Sequence, residues 1–257
     1  MKSEPKSAVS IVVPTYHEVE NIRPLVRRIN AALAALERPY EVIIVDDDSR
    51  DGIDRVAREL TGAEFPVRLI TRVGERGLGT AVLRGFAQAR GETLVCMDAD
   101  LSHPPEAIPT MLRCLAEPGV DFVLGSRYVF GGSTDEHWGV WSRIQSRFAT
   151  LLARPFTSVK DPMSGFFAIS RGAYERAQHL NPIGYKIALE LIVKCRCSAV
   201  KEIPIHFAKR QFGQSKLGMA ERWRYVRHLG RLLRFKLIEA LKSRAWAGRA
   251  EVSQAGR

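Results

Sequence analysis

Short runs of apolar residues alternate with stretches in which apolar residues recur every three or four positions. Ser10-Ile11-Val12-Val13-Pro14 predicts a strand, and Leu25, Val26, Ile29, Leu33 and Leu36 predict a helix behind it. Tyr40 to Val45 is apolar on both faces and ends in Asp46-Asp47-Asp48-Ser49, after which Ile53, Val56, Ala57 and Leu60 return to helical spacing. Val67 to Ile70 leads through the glycine-rich Gly74-Glu75-Arg76-Gly77-Leu78-Gly79 into a helix from Thr80 to Arg90. Thr93 to Met97 then reads as a fourth strand. Strands that are apolar on both faces and joined by helices predict an α/β fold, a parallel sheet covered on both sides with right-handed crossovers. Ligands bind beyond the carboxyl ends of such strands. The polar clusters Pro14 to Glu18, Asp46 to Ser49 and Asp98 to Ser102 all fall at those ends and are expected to converge on one crevice.

Farther along, the pattern predicts a helix over Glu106 to Leu115, a strand over Asp121 to Gly125 ending in Ser126-Arg127-Tyr128, and a long helix from Trp138 to about Phe156. Phe166 to Ile169 is a further apolar run. A helix near Leu189 to Cys195 and an edge-like strand over Glu202 to Phe207 follow. Neither a repeat nor a low-complexity linker interrupts the chain. It divides into a flexible start (1–7), one catalytic domain (8–218), and a basic amphipathic helix with a disordered tail (219–257). In that tail Trp223, Val226, Leu229, Leu233, Leu237 and Leu241 recur at helical spacing, with Arg222, Arg227, Arg231, Arg234 and Lys242 beside them. The pattern fits a helix lying in a membrane interface and equally a helix packed on the core.

Charge narrows the partners. Among 257 residues, 39 Lys and Arg stand against 28 Asp and Glu, a net charge of +11, which favours anionic partners. The four cysteines have neither disulfide nor zinc spacing and read as thiols in a reducing compartment. No apolar stretch approaches the roughly 20 residues that span a bilayer, and the first residues lack a signal-peptide core. The expected location is the cytoplasm, with any membrane contact peripheral.

Asp98 and Asp100, at period-two spacing after an apolar run, offer hard oxygen ligands to a divalent cation if the strand persists. Taken alone, the pair equally suits a strand end that caps a turn before Pro104. Asp46 and Asp47 can accept hydrogen bonds from a base or a ribose. Gly74, Gly77 and Gly79 are not in G-x-G-x-x-G order, and no G-x-x-x-x-G-K-[ST] occurs, which disfavours a dehydrogenase or P-loop enzyme. Arg210 and Lys216 lie in a glycine-containing basic loop suited to closing on phosphates, with Arg127 as a further cation.

Taken in order, Val13-Pro14-Thr15-Tyr16-His17-Glu18, Val45 to Gly52, Gly77 to Ala81, Met97-Asp98-Ala99-Asp100-Leu101-Ser102-His103-Pro104, Gly125 to Tyr128, Asp161 to Phe166, Gly184-Tyr185-Lys186 with Glu190, and Arg210 to Gly218 resemble a known family. It is that of the dolichol-phosphate (polyprenyl-phosphate) mannosyltransferases, inverting GT-A glycosyltransferases of family 2. The resemblance covers about residues 8 to 218 and implies a GT-A, Rossmann-like, mostly parallel sheet. It implies that Pro14, Tyr16, Glu18, Val45 and Asp47 hold the nucleotide, and that Asp98 and Ala99 line the sugar nucleotide. The resemblance further implies that Asp100 ligates Mg2+ or Mn2+ with help from Ser102, that Arg127, Arg210 and Lys216 contact phosphates or the donor sugar, and that Arg127, Arg143, Ser146 and Arg147 approach the acceptor. There are departures: His17 stands where Asn is usual, Asp48 where Gly is, Ile53 where Thr is, and Ala208-Lys209 where Val-Asp is common.

The implied reaction transfers mannose from GDP-mannose to dolichyl or polyprenyl phosphate with inversion, on the cytosolic face of a membrane. The tail or a separate membrane-anchoring subunit provides attachment, and in this setting the interfacial reading of the tail leads. Two alternatives compete. One keeps the fold but uses UDP-glucose or another sugar nucleotide. The other is a basic nucleic-acid-binding module, which gives Asp98 and Asp100 no role; the family reading expects no nucleic-acid partner.

Overall fold

A computed structural model of the chain describes residues 9–36, 38–63, 65–135, 149–177, 179–184, 186–197, 199–209 and 219–255, with side chains over 223–242 in the last of these. The predicted alternation is present as β1 (Val9–Thr15), α1 (Val19–Leu33), β2 (Tyr40–Asp46), α2 (Ile53–Gly62), β3 (Val67–Thr71), α3 (Leu78–Gln88) and β4 (Thr93–Cys96). A single turn of 3-10 helix (Pro105–Ala107) leads into α4 (Ile108–Leu115) and β5 (Phe122–Ser126). Then come β6 (Ser133–Thr134), a helical stretch at 149–153, β7 (Phe167–Ser170), α5 (Arg171–Glu175), α6 (Ile187–Lys194), β8 (Val200–Pro204), β9 (His206–Phe207) and α7 (Met219–Ala255).

Among the described residues, seven strands form one sheet in the order β3-β2-β1-β4-β7-β5-β8. All are parallel to their neighbours except β7, which runs antiparallel to β4 and β5. Period-two alternation divides the strands between two cores. Ile11, Val13, Val42 and Ile44 face α1, α2 and α4, through Ile22, Ile29, Val56 and Met111. Val12, Ile43 and Val45 face α3 and α6, through Val82, Phe86, Ile187 and Leu191. A Cβ on Gly85 would stand 2.4 Å from Val12 Cγ1, so α3 needs a glycine there to lie this close to β1.

The expected edge strand over Glu202 to Phe207 is broken. β8 ends at Pro204, which has no N–H to extend the ladder, and β9 pairs with β6 in a separate two-stranded sheet. The fourth strand stops at Cys96 rather than Met97. Of the predicted helix from Trp138 to Phe156, 136–148 lies outside the described residues.

α7 turns Tyr225, Leu229, Leu232 and Phe235 toward Ala153, Met163, Leu189 and Val193, a third apolar cluster. By the 3.6-residue period, Trp223, Val226, Leu233, Leu237 and Leu241 lie on the opposite side, and they are exposed. The helix therefore carries two apolar faces, and Leu229, read from the sequence as part of the outer stripe, belongs to the inner one.

A buried charged cluster fixes this helix to the domain. Lys194 Nζ donates to Glu190 Oε1 at 2.7 Å and to the His179 carbonyl at 2.8 Å, while Asn181 N donates to the same Glu190 oxygen at 2.7 Å. His228 of α7 accepts from Ile183 N at 3.3 Å and faces Glu190 at 3.4 Å. Glu190→Ala strands the Lys194 charge and is expected to cost about 3–5 kcal/mol. Chemical denaturation checks this; a loss below about 1 kcal/mol would deny the cluster a structural role.

Candidate active site

Three loops follow the carboxyl ends of β1, β2 and β4, and the sheet order puts β1 between the other two. β4 pairs with β1 only over Val9 to Val12, so Pro14 and Thr15 extend past its last pair and the sheet opens there. Among the described residues, four of the six non-glycine positions with positive φ sit in these loops: His17 (57°), Asp48 (52°), Arg50 (53°) and Leu101 (62°). Left-handed backbone costs an L residue roughly 1–2 kcal/mol, and such strain collects at functional loops. His17 and Asp48 are two of the family departures, and they stand where Asn and Gly, the residues most at ease with positive φ, are usual.

The first carboxylates hold the loops in shape. Asp46 accepts from Ser49 N at 2.8 Å, from the Ser49 hydroxyl, and from Thr15 Oγ1 at 3.1 Å, which ties the end of β1 to the turn after β2. Asp47 is 6 % exposed; Arg72 binds one oxygen through Nε at 2.7 Å and also through Nη2, and Gly77 N donates to the other at 2.8 Å. Arg72 in turn reaches the Gly77 carbonyl and Thr80. Asp47 and Arg72 together thus fasten the glycine-rich loop across the ends of β2 and β3. Tyr16 is half-buried, with the Arg76 guanidinium 3.8 Å over its ring, and Glu18 Oε2 accepts from Asn21 Nδ2 at 2.6 Å. Pro14 and Val45 are buried partners across β1 and β2.

Asp98 and Asp100 do not share a strand face, because β4 has already ended. A turn orients them instead. Leu101 takes the left-handed conformation, Ser102 N donates to Asp100 Oδ1 at 3.1 Å, and the Ser102 hydroxyl donates to the same oxygen. Asp98 N donates to His103 Nδ1 at 3.1 Å, and the imidazole is stacked on Phe166 and buried. Burial lowers the His103 pKa against the pull of Asp98 and Asp100, so the ring stays neutral and Nδ1 keeps its acceptor lone pair. Gly165 lies against the Asp98 carboxylate, where a Cβ would stand 3.2 Å from Oδ1. Ala99, between the two carboxylates, is buried.

Arg127, at the end of β5, is gripped by Asp161. Its Nε and Nη2 donate to the two carboxylate oxygens at 2.7 and 2.8 Å, and its backbone N donates at 3.1 Å. Burial works against the guanidinium charge, but the bonds to Asp161 and the nearby Asp98 outweigh it, and the Arg127 pKa stands above the ordinary arginine value. Glu202 of β8 accepts from Lys160 N and Asp161 N, and so fixes the loop that carries Asp161. Arg72 was not singled out by sequence, and Asp161 entered only as the first residue of the Asp161 to Phe166 motif, with no role assigned, although each is a charged residue at a loop next to a strand end.

Ala208 N donates to the Ser102 carbonyl at 3.0 Å, which joins the Asp100 turn to the start of the segment carrying Arg210 and Lys216. Arg210, Lys216, Arg143, Ser146 and Arg147 lie outside the described residues. Among the described residues no group of three or more His, Cys, Asp or Glu is gathered to hold an ion. The carboxylates of Asp98 and Asp100, on the loop after β4, are hard oxygen donors of the kind a divalent cation takes.

The family model described as "Glycosyl transferase family 2" matches residues 10–177. A dolichol-phosphate mannosyltransferase of Mycosarcoma maydis is 45% identical over 234 residues, 88% of this chain and 79% of that protein. The protein of the same name from Saccharomyces cerevisiae is 41% identical over 235 residues, 88% and 87% of the respective chains. Among solved structures, the mannosyltransferase PcManGT of Pyrobaculum calidifontis, in complex with GDP-Man and Mn2+, superposes with a TM-score of 0.62 at 20% identity, covering 91% of this chain and 65% of that one. At that identity the likeness is one of fold.

Proposed function

The chain belongs to glycosyl transferase family 2, with dolichol-phosphate mannosyltransferases among its relatives, and on that footing we propose that it transfers mannose from GDP-mannose to dolichyl or polyprenyl phosphate. The observation that carries this reading is that the turn holding Asp98 and Asp100 follows β4, the neighbour of β1, and so shares the carboxyl end of the sheet with the loops after β1 and β2. A phosphate oxygen of the acceptor displaces the nucleoside diphosphate at the anomeric carbon, with inversion. That oxygen is already anionic at neutral pH, so no side chain has to remove a proton.

What the protein supplies is position and charge. Asp100, held by Ser102, and Asp98, held by His103 and Gly165, form the donor end; Tyr16, Glu18 and the loop fastened by Asp47 receive the nucleotide. Arg127 faces the reacting phosphates from the β5 side, and Arg210 and Lys216 close from the segment rooted at Ala208. A divalent cation, Mg2+ or Mn2+, held at Asp100 supplies, when bound, charge stabilisation on the departing diphosphate. EDTA is expected to abolish transfer, and added Mg2+ or Mn2+ to restore it; activity that survives chelation would contradict this part.

Among the described residues no helix is long and apolar enough to cross a membrane. A peripheral position on a membrane surface is supported by α7, whose outer stripe is exposed beside Arg227, Arg231, Arg234 and Lys242. Apolar residues enter the interface while cations meet anionic headgroups at about 1 kcal/mol each. The triple change Leu233→Ser, Leu237→Ser, Leu241→Ser is expected to cut co-sedimentation with phosphatidylserine vesicles several-fold without moving the unfolding midpoint. Undiminished vesicle binding would place the docking surface elsewhere on the chain.

A further inference from the structure

Gly184 and Glu190 belong to a motif that mannosyl transfer leaves without a task. The structure joins them through the loop 181–184, which three helices hold at separate points. Asn181 N donates to Glu190 of α6 at 2.7 Å, Ile183 N donates to His228 Nδ1 of α7 at 3.3 Å, and the Gly184 carbonyl accepts from Gly79 N of α3 at 3.3 Å. The last contact has little slack, since a Cβ on Gly79 would stand 2.8 Å from Pro182 Cβ. α3 begins without a side-chain cap, so this carbonyl satisfies one of the N–H groups that the first turn of a helix leaves open.

His228 is the costly member of this joint. It is 1 % exposed, its Nδ1 is turned to Ile183, and its Nε2 faces Glu190 at 3.4 Å without a hydrogen bond among the described residues. Burial lowers its pKa against the pull of Glu190, so the ring stays neutral with its proton on Nε2. A buried N–H left without a partner destabilises a fold, and an aliphatic side chain here would avoid that. What the imidazole adds is an acceptor for the loop. Beyond Gly79 the path is short: Gly77 N donates to Asp47 at 2.8 Å, and Asp47 with Arg72 fastens the glycine-rich loop across the strand ends. One helix therefore carries both the exposed outer stripe and a bond that leads to the donor loop.

We infer that His228 is a positioning residue for the sugar nucleotide: from α7 it holds the loop 181–184 against Gly79 and so sets the glycine-rich loop that receives the donor. The inference deepens the mannosyl-transfer reading and rests on its placing of the nucleotide at the loop fastened by Asp47. His228 was not marked by the sequence pattern.

The test measures GDP and UDP binding by calorimetry with Mg2+ present, together with transfer kinetics, for wild type, His228→Leu, His228→Asn and Tyr225→Phe. The amide of His228→Asn keeps an oxygen acceptor for Ile183 N, whereas Tyr225→Phe removes a different α7 bond, the 2.7 Å one to the Ala149 carbonyl. His228→Leu is expected to raise the Kd for GDP and the KM for GDP-mannose about fivefold, the size of one neutral hydrogen bond, with acceptor KM and kcat at saturating donor little changed. His228→Asn recovers most of the loss, and Tyr225→Phe binds GDP as wild type does. Gly79→Ala, which pushes Pro182 from the α3 side and leaves α7 untouched, is expected to weaken GDP binding as well, and it carries the test if His228→Leu does not fold. Three results overturn the inference while leaving mannosyl transfer standing: unchanged donor affinity in His228→Leu, or in Gly79→Ala where the first does not fold; a loss that His228→Asn fails to recover; or an equal loss in Tyr225→Phe. If wild type transfers no mannose and the His228 dependence appears for UDP instead of GDP, the mannosyl reading fails and the positioning role holds. Wild type that binds neither nucleotide overturns both.

Discussion

Asp100→Asn is expected to lower mannosyl transfer by on the order of 10²-fold or more, the loss seen when one electrostatic stabiliser is removed from a reaction centre. The amide keeps the side-chain shape and an oxygen that can accept from Ser102 N and the Ser102 hydroxyl, so the turn after β4 should survive. What disappears is the negative charge. The unfolding midpoint should stay within a few degrees of wild type while kcat falls, and raising the metal concentration should recover only part of it. Near-normal activity in Asp100→Asn would remove Asp100 from the chemistry.

The second large effect comes from Asp161, which is fully buried and holds Arg127 through three hydrogen bonds. Asp161→Ala leaves a guanidinium that is 9 % exposed without its counter-charge. Removing one partner of a buried pair costs about 3–5 kcal/mol, equivalent to a fall in Tm on the order of 10 °C in a chain of this size. Replacing both partners, Arg127→Met with Asp161→Leu, should restore most of the stability but not the activity, because no orphan charge remains while the reaction centre still lacks its β5 cation. A double variant that regained activity would reduce the pair to a structural role.

These two residues mark what a single sequence can and cannot convey. Strand and helix periodicity is local, so the alternation from β1 to β4 and the placing of polar loops at the carboxyl ends of those strands were readable from apolar spacing alone. Strand direction is not local. Phe167 to Ser170 looks like any short apolar strand, and only its pairing with Thr93 to Cys96 and with Phe122 to Leu124 reveals that it runs antiparallel. Ion pairs are hidden for the same reason: Arg72 is 25 residues from Asp47, and Arg127 is 34 from Asp161.

The Asp98 and Asp100 motif was legible, but the geometry assigned to it was not. Period-two reasoning requires a continuing strand, whereas the backbone turns at Leu101 and hands orientation to Ser102 and His103. The outer stripe of α7 was visible in its spacing. That the same helix would pack an opposite face on the domain was not, since Tyr225, Leu232 and Phe235 join a cluster built from residues far away in the chain.

The central claim is tested most directly by incubating the whole protein with labelled GDP-mannose, a short polyprenyl phosphate and Mg2+ or Mn2+, then analysing the organic-soluble product. The account predicts one mannose joined to the polyprenyl phosphate by an inverted anomeric linkage, formed from GDP-mannose in preference to UDP-glucose and missing in Asp100→Asn. Label transferred from UDP-glucose instead, or mannose appearing on an acceptor without the lipid phosphate, would contradict it.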